Sequence, residues 1–307
     1  MKVKGGIRKI LVTGKSGQVG WELRRSLSTL GQVTAVGSNE LDLAYADAIR
    51  GFIRQLKPDI IVNPAAYTAV DKAESEADLA MAVNAIAPGV LAEEARRLGA
   101  LLVHYSTDYV FDGSKREPYV EDDQPNPINV YGASKLAGEQ AIRNAGANHL
   151  ILRTSWVYGA RGKNFLLTMQ RLGRERDELG VVNDQTGAPT WSRAIAECTA
   201  QMLAQLYVPG GSADLPARLS GTYHLTAQEQ TTWYGFVNEA VACGLLAGRD
   251  KPPVIKPINT AEYPTPAARP MYSVMSNAKL FDTFGIQLPC WQQSLSMVLE
   301  ELRSDCH

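Results

Sequence analysis

Residues 9–23, KILVTGKSGQVGWEL, decide the fold. A short apolar run through Ile10, Leu11 and Val12 meets Gly14, Gly17 and Gly20, spaced three apart, and a helical pattern opens at Gln18. A chain that turns sharply, lets its backbone approach a pyrophosphate and packs a helix close on a strand needs glycine at each of those points. The helix that follows aims its free amides and the positive end of its dipole at the same place. A glycine triplet alone is weak evidence. A strand before it and a helix after it make the dinucleotide reading the stronger one over a plain tight turn.

The same rhythm continues outward. Short apolar runs at 32–36, 60–62, 101–106 and 150–153 alternate with helical patterns at 18–28, from about 45, at 77–98 and at 131–143. Continuously apolar short strands are covered on both faces, and the helices between them supply the crossovers of a parallel sheet. The expected fold class is α/β, a doubly wound parallel Rossmann-type sheet with a smaller interleaved C-terminal α/β lobe. Residues 1–155 would form the dinucleotide-binding domain and 156–307 the remainder, with 181–230 partly returning to the first. A strand near Val181, helices from Asn164 and Ser192, a loop over 209–216 and a returning strand at 221–225 fill the second half. Six prolines within 251–270 predict a wrapping loop or lid there.

The chain has 307 residues, with 31 basic and 32 acidic side chains and a formal net charge of −1. That balance lacks the basic footprint of a nucleic-acid binder, while leaving room for a small anion. Cys198, Cys243, Cys290 and Cys306 have no metal or redox spacing and read as reduced thiols. The basic N-terminus has no signal-peptide core, and no stretch is long enough to span a membrane. A cytoplasmic protein without a membrane partner is expected.

Two further patterns carry chemistry. After the second strand, where an acidic residue ordinarily holds the adenosine ribose, stand Val36, Gly37, Ser38 and Asn39; the first carboxylates are Glu40 and Asp42. A strand end without a carboxylate would not repel a 2′-phosphate, and Lys15 lies within reach, so NADPH and NADH are both expected. The second pattern is YGASK, which puts Tyr131 and Lys135 on one helix face. A phenol near pKa 10 is a poor acid at pH 7, and a neighbouring ammonium is expected to lower it. The spacing by itself is close to chance. Its weight comes from Ser106, Thr107 and Asp108 just upstream, where a strand's carboxyl end would open the ligand crevice. His104 and His224 read as satisfied core histidines, and Trp21 as helix packing.

Taken together, these residues resemble the extended short-chain dehydrogenase/reductase superfamily, and within it the dTDP-4-dehydrorhamnose reductase family. The resemblance rests on GKSGQVGWEL, NPAAYTAVDKAE, VHYSTDYVFDG, NVYGASKLAGE, LRTSWVYG, VNDQTGAPT and YPTPAARP, and spans nearly the whole chain. It implies NAD(P)H-dependent reduction of a dTDP-linked 4-keto sugar. Catalysis would fall to Tyr131, Lys135 and Thr107. The cofactor would be held by Gly14, Gly17, Gln18, Val19, Gly20, Asp42, Leu43, Ala66, Tyr67, Thr68, Tyr105, Tyr131 and Lys135. Thr107, Asp108, Trp156, Asn164 and Arg269 would meet the substrate, with Asp184 and Gln185 as weaker candidates. The resemblance allows a homodimer and a Mg2+ bound by glutamates. Glu22 and Glu300 or Glu301 match two such positions, but Arg193 stands at the third, and an arginine cannot ligate a cation.

Overall fold

The structure, a computed structural model, describes residues 7–208, 211–247, 249 and 251–304. The basic N-terminal hexapeptide, the first two residues of the loop expected at 209–216, and Cys306 lie outside the described residues. In chain order the first half contains β1 (Lys9–Val12), α1 (Gln18–Ser26), β2 (Gln32–Ala35), α2 (Ala46–Leu56), β3 (Ile60–Asn63), α3 (Val70–Ala73), α4 (Ala77–Met81), a π turn (Ala82–Ile86), α5 (Ala87–Leu98), β4 (Leu101–Thr107), α6 (Val130–Ala145) and β5 (His149–Thr154). The second half contains β6 (Val157–Tyr158), α7 (Phe165–Glu175), β7 (Glu178–Val182), β8 (Thr186–Gly187), β9 (Thr190–Trp191), α8 (Ser192–Leu206), α9 (Leu215–Arg218), β10 (Gly221–His224), β11 (Thr231–Thr232), α10 (Trp233–Ala242), β12 (Val254–Ile258), α11 (Ala278–Phe284) and α12 (Trp291–Ser304).

Six strands, all parallel, form the central sheet in the order β10–β5–β4–β3–β1–β2. Residues alternate between its two faces, so Ile10, Val12, Ile60 and Val62 pack towards α1 and α8, while Leu11, Ile61 and Leu102 pack towards α2 and α5. Strand β1 has β2 on one side and β3 on the other, so the winding reverses there. Ligands of open α/β sheets bind at the carboxyl edge beside such a switch point.

The helix expected at 77–98 is interrupted at its middle by a π turn. Pro88 has no N–H to give to the carbonyl of Asn84, four residues back, and the π turn falls there. The released Asn84 carbonyl presses on α6, where a Cβ at Gly138 would come within 2.1 Å of it. Helix α6 starts at Asn129, whose side chain accepts the Gly132 N–H at 2.7 Å, and stops at Gly146, whose φ of +68° suits glycine.

In the second half, β6 pairs with β9, β8 with β11, and β7 with β12. The last pair corrects the expectation of a wholly irregular proline segment: Pro257 sits inside β12. The strand tolerates it because, among the described residues, β12 pairs with β7 alone, leaving its other edge free of a ladder that needs the missing N–H. The turn Leu215–Arg218 is likewise helical, with Pro216 in its first turn, where a missing N–H costs nothing. Residues 263–270 follow without regular structure and dock through Asn129 Nδ2, which donates to Ala268 O at 2.7 Å. Among the described residues, no helix is long and apolar enough to cross a membrane.

Candidate active site

Strand β1 delivers Thr13 and Gly14 to the carboxyl edge. Gly14 has φ +59°, and a Cβ there would press on the Ala65 backbone at 3.0 Å; a Cβ at Gly20 would lie 2.1 Å from the Gly14 carbonyl oxygen. No side chain caps α1, which opens at Gln18 after Gly17, so its first-turn amides are unspent. This cradle, of Gly14, Gly17, Gln18, Val19 and Gly20, fits a pyrophosphate. Ala66, Tyr67 and Thr68 follow β3 beside it. The Tyr67 backbone is clamped by Asn84, which accepts its N–H at 2.8 Å and donates to its carbonyl at 3.0 Å, and the Tyr67 hydroxyl donates to Glu76 at 2.6 Å.

The end of β2 differs from the sequence expectation. A tight turn, with Glu40 N and Leu41 N donating to Gly37 O, folds Glu40 back onto the strand end. Its carboxylate accepts the Gly37 N–H at 2.9 Å and pairs with Lys15. A carboxylate therefore does stand there, partnered by the lysine of the glycine turn. Asp42 is exposed and caps the local turn through Ala44 N at 2.9 Å, and Leu43 is buried.

Helix α6 places Tyr131, Lys135 and Glu139 four residues apart on one face. Tyr131 stands beside Thr107, whose hydroxyl donates to Asp108 Oδ1 at 3.0 Å, and its ring meets Tyr109 edge-on at 5.6 Å. Burial of the hydroxyl end pushes Tyr131 up to about 12. This corrects the expectation of a lowered phenol, because the Lys135 ammonium is turned onto the Tyr105 carbonyl at 2.6 Å and His104 Nε2 at 3.3 Å. A protonated phenol is the form a proton donor needs. Burial lowers Lys135 to about 8, against the pull of Glu139. Burial also pushes Asp108 up to about 6: Oδ1 accepts the Thr107 hydroxyl at 3.0 Å, but Oδ2 is enclosed without a hydrogen-bond partner among the described residues. Burial would raise Glu139 too, but the Arg153 guanidinium, gripping it through two bonds of 2.9 and 2.8 Å, holds its carboxyl below the usual range. The Tyr105 ring is absent from the crevice. It lies in the core with its hydroxyl 2.7 Å from Thr199, and only its carbonyl reaches the site.

On the substrate side, Trp156 has φ +47°, a conformation bulky residues rarely hold without support. Its indole stacks on Trp233 with centroids 3.5 Å apart, and Trp233 Nε1 donates to Gln185 Oε1 at 3.2 Å. Asp184 accepts from Thr260 N and Oγ1, tying down the turn after β12. Asn164 caps α7 through Leu167 N at 3.0 Å and donates to Gln18 Oε1 at 3.1 Å, so it joins the phosphate turn to the second half. Arg269 donates to Asp71 Oδ2 at 3.0 Å, to Thr265 and towards Tyr109, two side chains from Tyr131.

Magnesium does not fit the matching residues. The Arg193 guanidinium lies between Glu22, at 3.2 Å, and Glu301, at 2.7 Å, taking up the charge that a cation would neutralise. Among the described residues no group of three or more candidate ligands is gathered elsewhere.

Sequence reasoning missed Asn84, Asp71, Tyr109 and Trp233, and read His104 only as core. The signal for Asn84 was a polar residue four before a proline inside a helical pattern; for His104 it was a titratable ring two residues before Ser106.

A doubly wound parallel sheet with an uncapped phosphate turn at its switch point, facing a Tyr–Lys pair on α6, defines a reductase of the short-chain type. The model of the RmlD substrate binding domain family matches residues 8–304. A dTDP-4-dehydrorhamnose reductase of Burkholderia thailandensis is 49% identical over 96% of this chain and 99% of its own. Among solved structures, the dTDP-4-dehydrorhamnose reductase of Clostridium acetobutylicum superposes with a TM-score of 0.87 at 38% identity, covering 96% of this chain and 99% of that one. The Bacillus anthracis enzyme of the same name, in complex with NADP, superposes with a TM-score of 0.85 at 35% identity and the same coverage. The chain belongs to the dTDP-4-dehydrorhamnose reductase family.

Proposed function

We propose that this chain reduces the C4 keto group of dTDP-4-dehydro-L-rhamnose to give dTDP-L-rhamnose, with NADPH or NADH, in the supply of sugar for cell-surface polysaccharide. When bound, the reduced nicotinamide supplies the hydride for C4. Gly14, Gly17, Gln18, Val19 and Gly20 would hold its pyrophosphate, and Ala66, Tyr67 and Thr68 would line it. Tyr131 gives its hydroxyl proton to O4 as the carbonyl becomes an alcohol. Thr107 keeps that hydroxyl in place, and Lys135 restores the proton from beneath. Arg269, with its forked guanidinium, suits the diphosphate, and Trp156 the sugar face. Binding the dTDP part fixes C4 in reach of the reacting groups. Lys15 and Glu40 leave the ribose end near neutral, which supports use of both cofactors. No step is assigned to a divalent cation.

The observation that carries this reading is the placing of Tyr131 and Lys135 one turn apart on α6, with Lys135 anchored on the Tyr105 carbonyl of β4 at 2.6 Å, at the carboxyl edge of the sheet that holds the open glycine turn. The test is oxidation of NADPH and NADH followed at 340 nm with dTDP-4-dehydrorhamnose. The native chain turns over, and Tyr131→Phe falls about 10²- to 10⁴-fold in kcat while still binding cofactor. Near-normal turnover by that variant overturns the assignment.

A further inference from the structure

The mechanism leaves one buried titratable group unused. His104, on β4, is fully enclosed, and so are its neighbours Asn63 at the end of β3 and Thr13 at the end of β1. Its Nε2 lies 3.3 Å from Lys135 Nζ, the Asn63 amide nitrogen as placed lies 3.0 Å from its Nδ1, and Thr13 Oγ1 donates to the Asn63 amide oxygen at 2.6 Å. A chain of buried polar contacts thus runs from the first residue after β1, through two strands, to the lysine under Tyr131.

An ammonium has three N–H donors and no acceptor. For Lys135, one goes to the Tyr105 carbonyl at 2.6 Å. We propose that His104 is a positioning residue for the reduction: its Nε2 takes the second N–H of Lys135, so that the third is aimed at Tyr131 and the cofactor ribose. The proposal rests on the roles given to Tyr131 and Lys135 above. It deepens them by explaining how a flexible side chain with four rotatable bonds is held to one direction.

The proposal fixes a tautomer. If Nε2 accepts, the ring hydrogen is on Nδ1 and must find an acceptor. Asn63 can supply one, because its amide oxygen and nitrogen exchange places by a half-turn about the last side-chain bond, and that assignment follows the network. The oxygen then faces His104, and the nitrogen donates to Thr13 Oγ1. The ring stays neutral: burial, then the charge of Lys135, hold His104 well below the usual imidazole range. A charged ring would offer Lys135 a donor and a like charge, and the contact would be lost. The other groups that bear on Lys135 are Tyr131 and Glu139 on its own helix, the latter paired with Arg153 of β5, and Asp108 beyond Tyr131.

Two substitutions separate this role from simple core packing. Glutamine reaches about as far as Nε2, and asparagine about as far as Nδ1. H104Q therefore keeps an acceptor for Lys135 and gives up Asn63, whereas H104N keeps Asn63 and gives up Lys135. The expected result is a kcat about tenfold lower in H104N, with a weaker hold on NADP+ by fluorescence titration, and recovery of most of both in H104Q. The alkaline limb of the kcat profile shifts in H104N and returns in H104Q. Independently of turnover, 15N NMR of the native protein finds the His104 proton on Nδ1. Equal rates in both variants, a greater loss in H104Q than in H104N, or a proton on Nε2 each overturns the proposal. If H104N does not fold, the NMR result on the native chain decides. Because that measurement needs no catalysis, it stands apart from any failure of the Tyr131 assignment.

Discussion

The two banks of the crevice are built differently. On the proposed cofactor bank the groups are already fixed in place: the glycine turn presents open amides, Asn84 clamps Tyr67 from both sides, and Glu139 is locked by Arg153 beneath Lys135. On the substrate bank the candidate side chains hold one another: Trp156 lies flat on Trp233, Arg269 is paired with Asp71, and Asn164 and Asp184 serve caps and turns. On the proposed assignments, the first bank would receive its ligand without rearrangement, whereas the second would exchange internal partners for external ones. Preorganisation of one side puts the cost of ordering into folding; exchange on the other makes binding sensitive to what is displaced.

The largest expected effect tests the committed bank. Arg153→Met strips buried Glu139 of its two-bond partner and leaves it only the more exposed Arg143 at 3.3 Å, and stability measured by urea unfolding falls by up to about 3–5 kcal/mol. A change under about 1 kcal/mol would show that the pair is not needed to set α6. The next concerns Asp108, on the border between the banks. Its carboxyl is raised from 3.8 to about 6, so the folded chain holds this proton more tightly than the unfolded one. The burden on stability is absent below about pH 4, grows as pH rises to about 6, and stays constant above. Asp108→Asn should therefore add up to about 3 kcal/mol at pH 8 and close to nothing at pH 4. A gain that does not vary with pH would sink that reading. The smallest tests the substrate bank. Asp71→Asn loosens the hold on Arg269, and KM for the nucleotide sugar should fall a few-fold, about 1 kcal/mol or less, with the cofactor KM unchanged. A rise in KM would mean that Asp71 positions Arg269 rather than competing for it.

Much of the cofactor bank was legible because local rules write it. Gly14, Gly17 and Gly20 announce a close approach of backbones, and the apolar strands announce a covered sheet. The departures arise where long-range placement overrules local pattern. Glu40 was read as too late in sequence to matter, but a turn of four residues folds it back. Pro257 argued against a strand until β12 proved to have a free edge. The return of the strand at 221–225 to the main sheet was expected and holds, but its place beside β5, some seventy residues earlier, follows from no local signal. His104 and Asn84 were hidden because a buried polar residue inside an apolar element looks the same whether its partner is another core atom or a catalytic one. On the substrate bank, Trp233 and Asp71 were invisible because their meaning lies wholly in what they touch.

The stacked indoles of Trp156 and Trp233 also give the molecule an optical signature of its own. Two such chromophores 3.5 Å apart and nearly parallel are expected to couple their strong transitions and give a split band in far-ultraviolet circular dichroism, with depressed emission. Any ligand that slides between them or draws one away abolishes the split band and brightens the fluorescence. The order in which the two ligands enter can then be timed by rapid mixing without a dye, a label or a turnover.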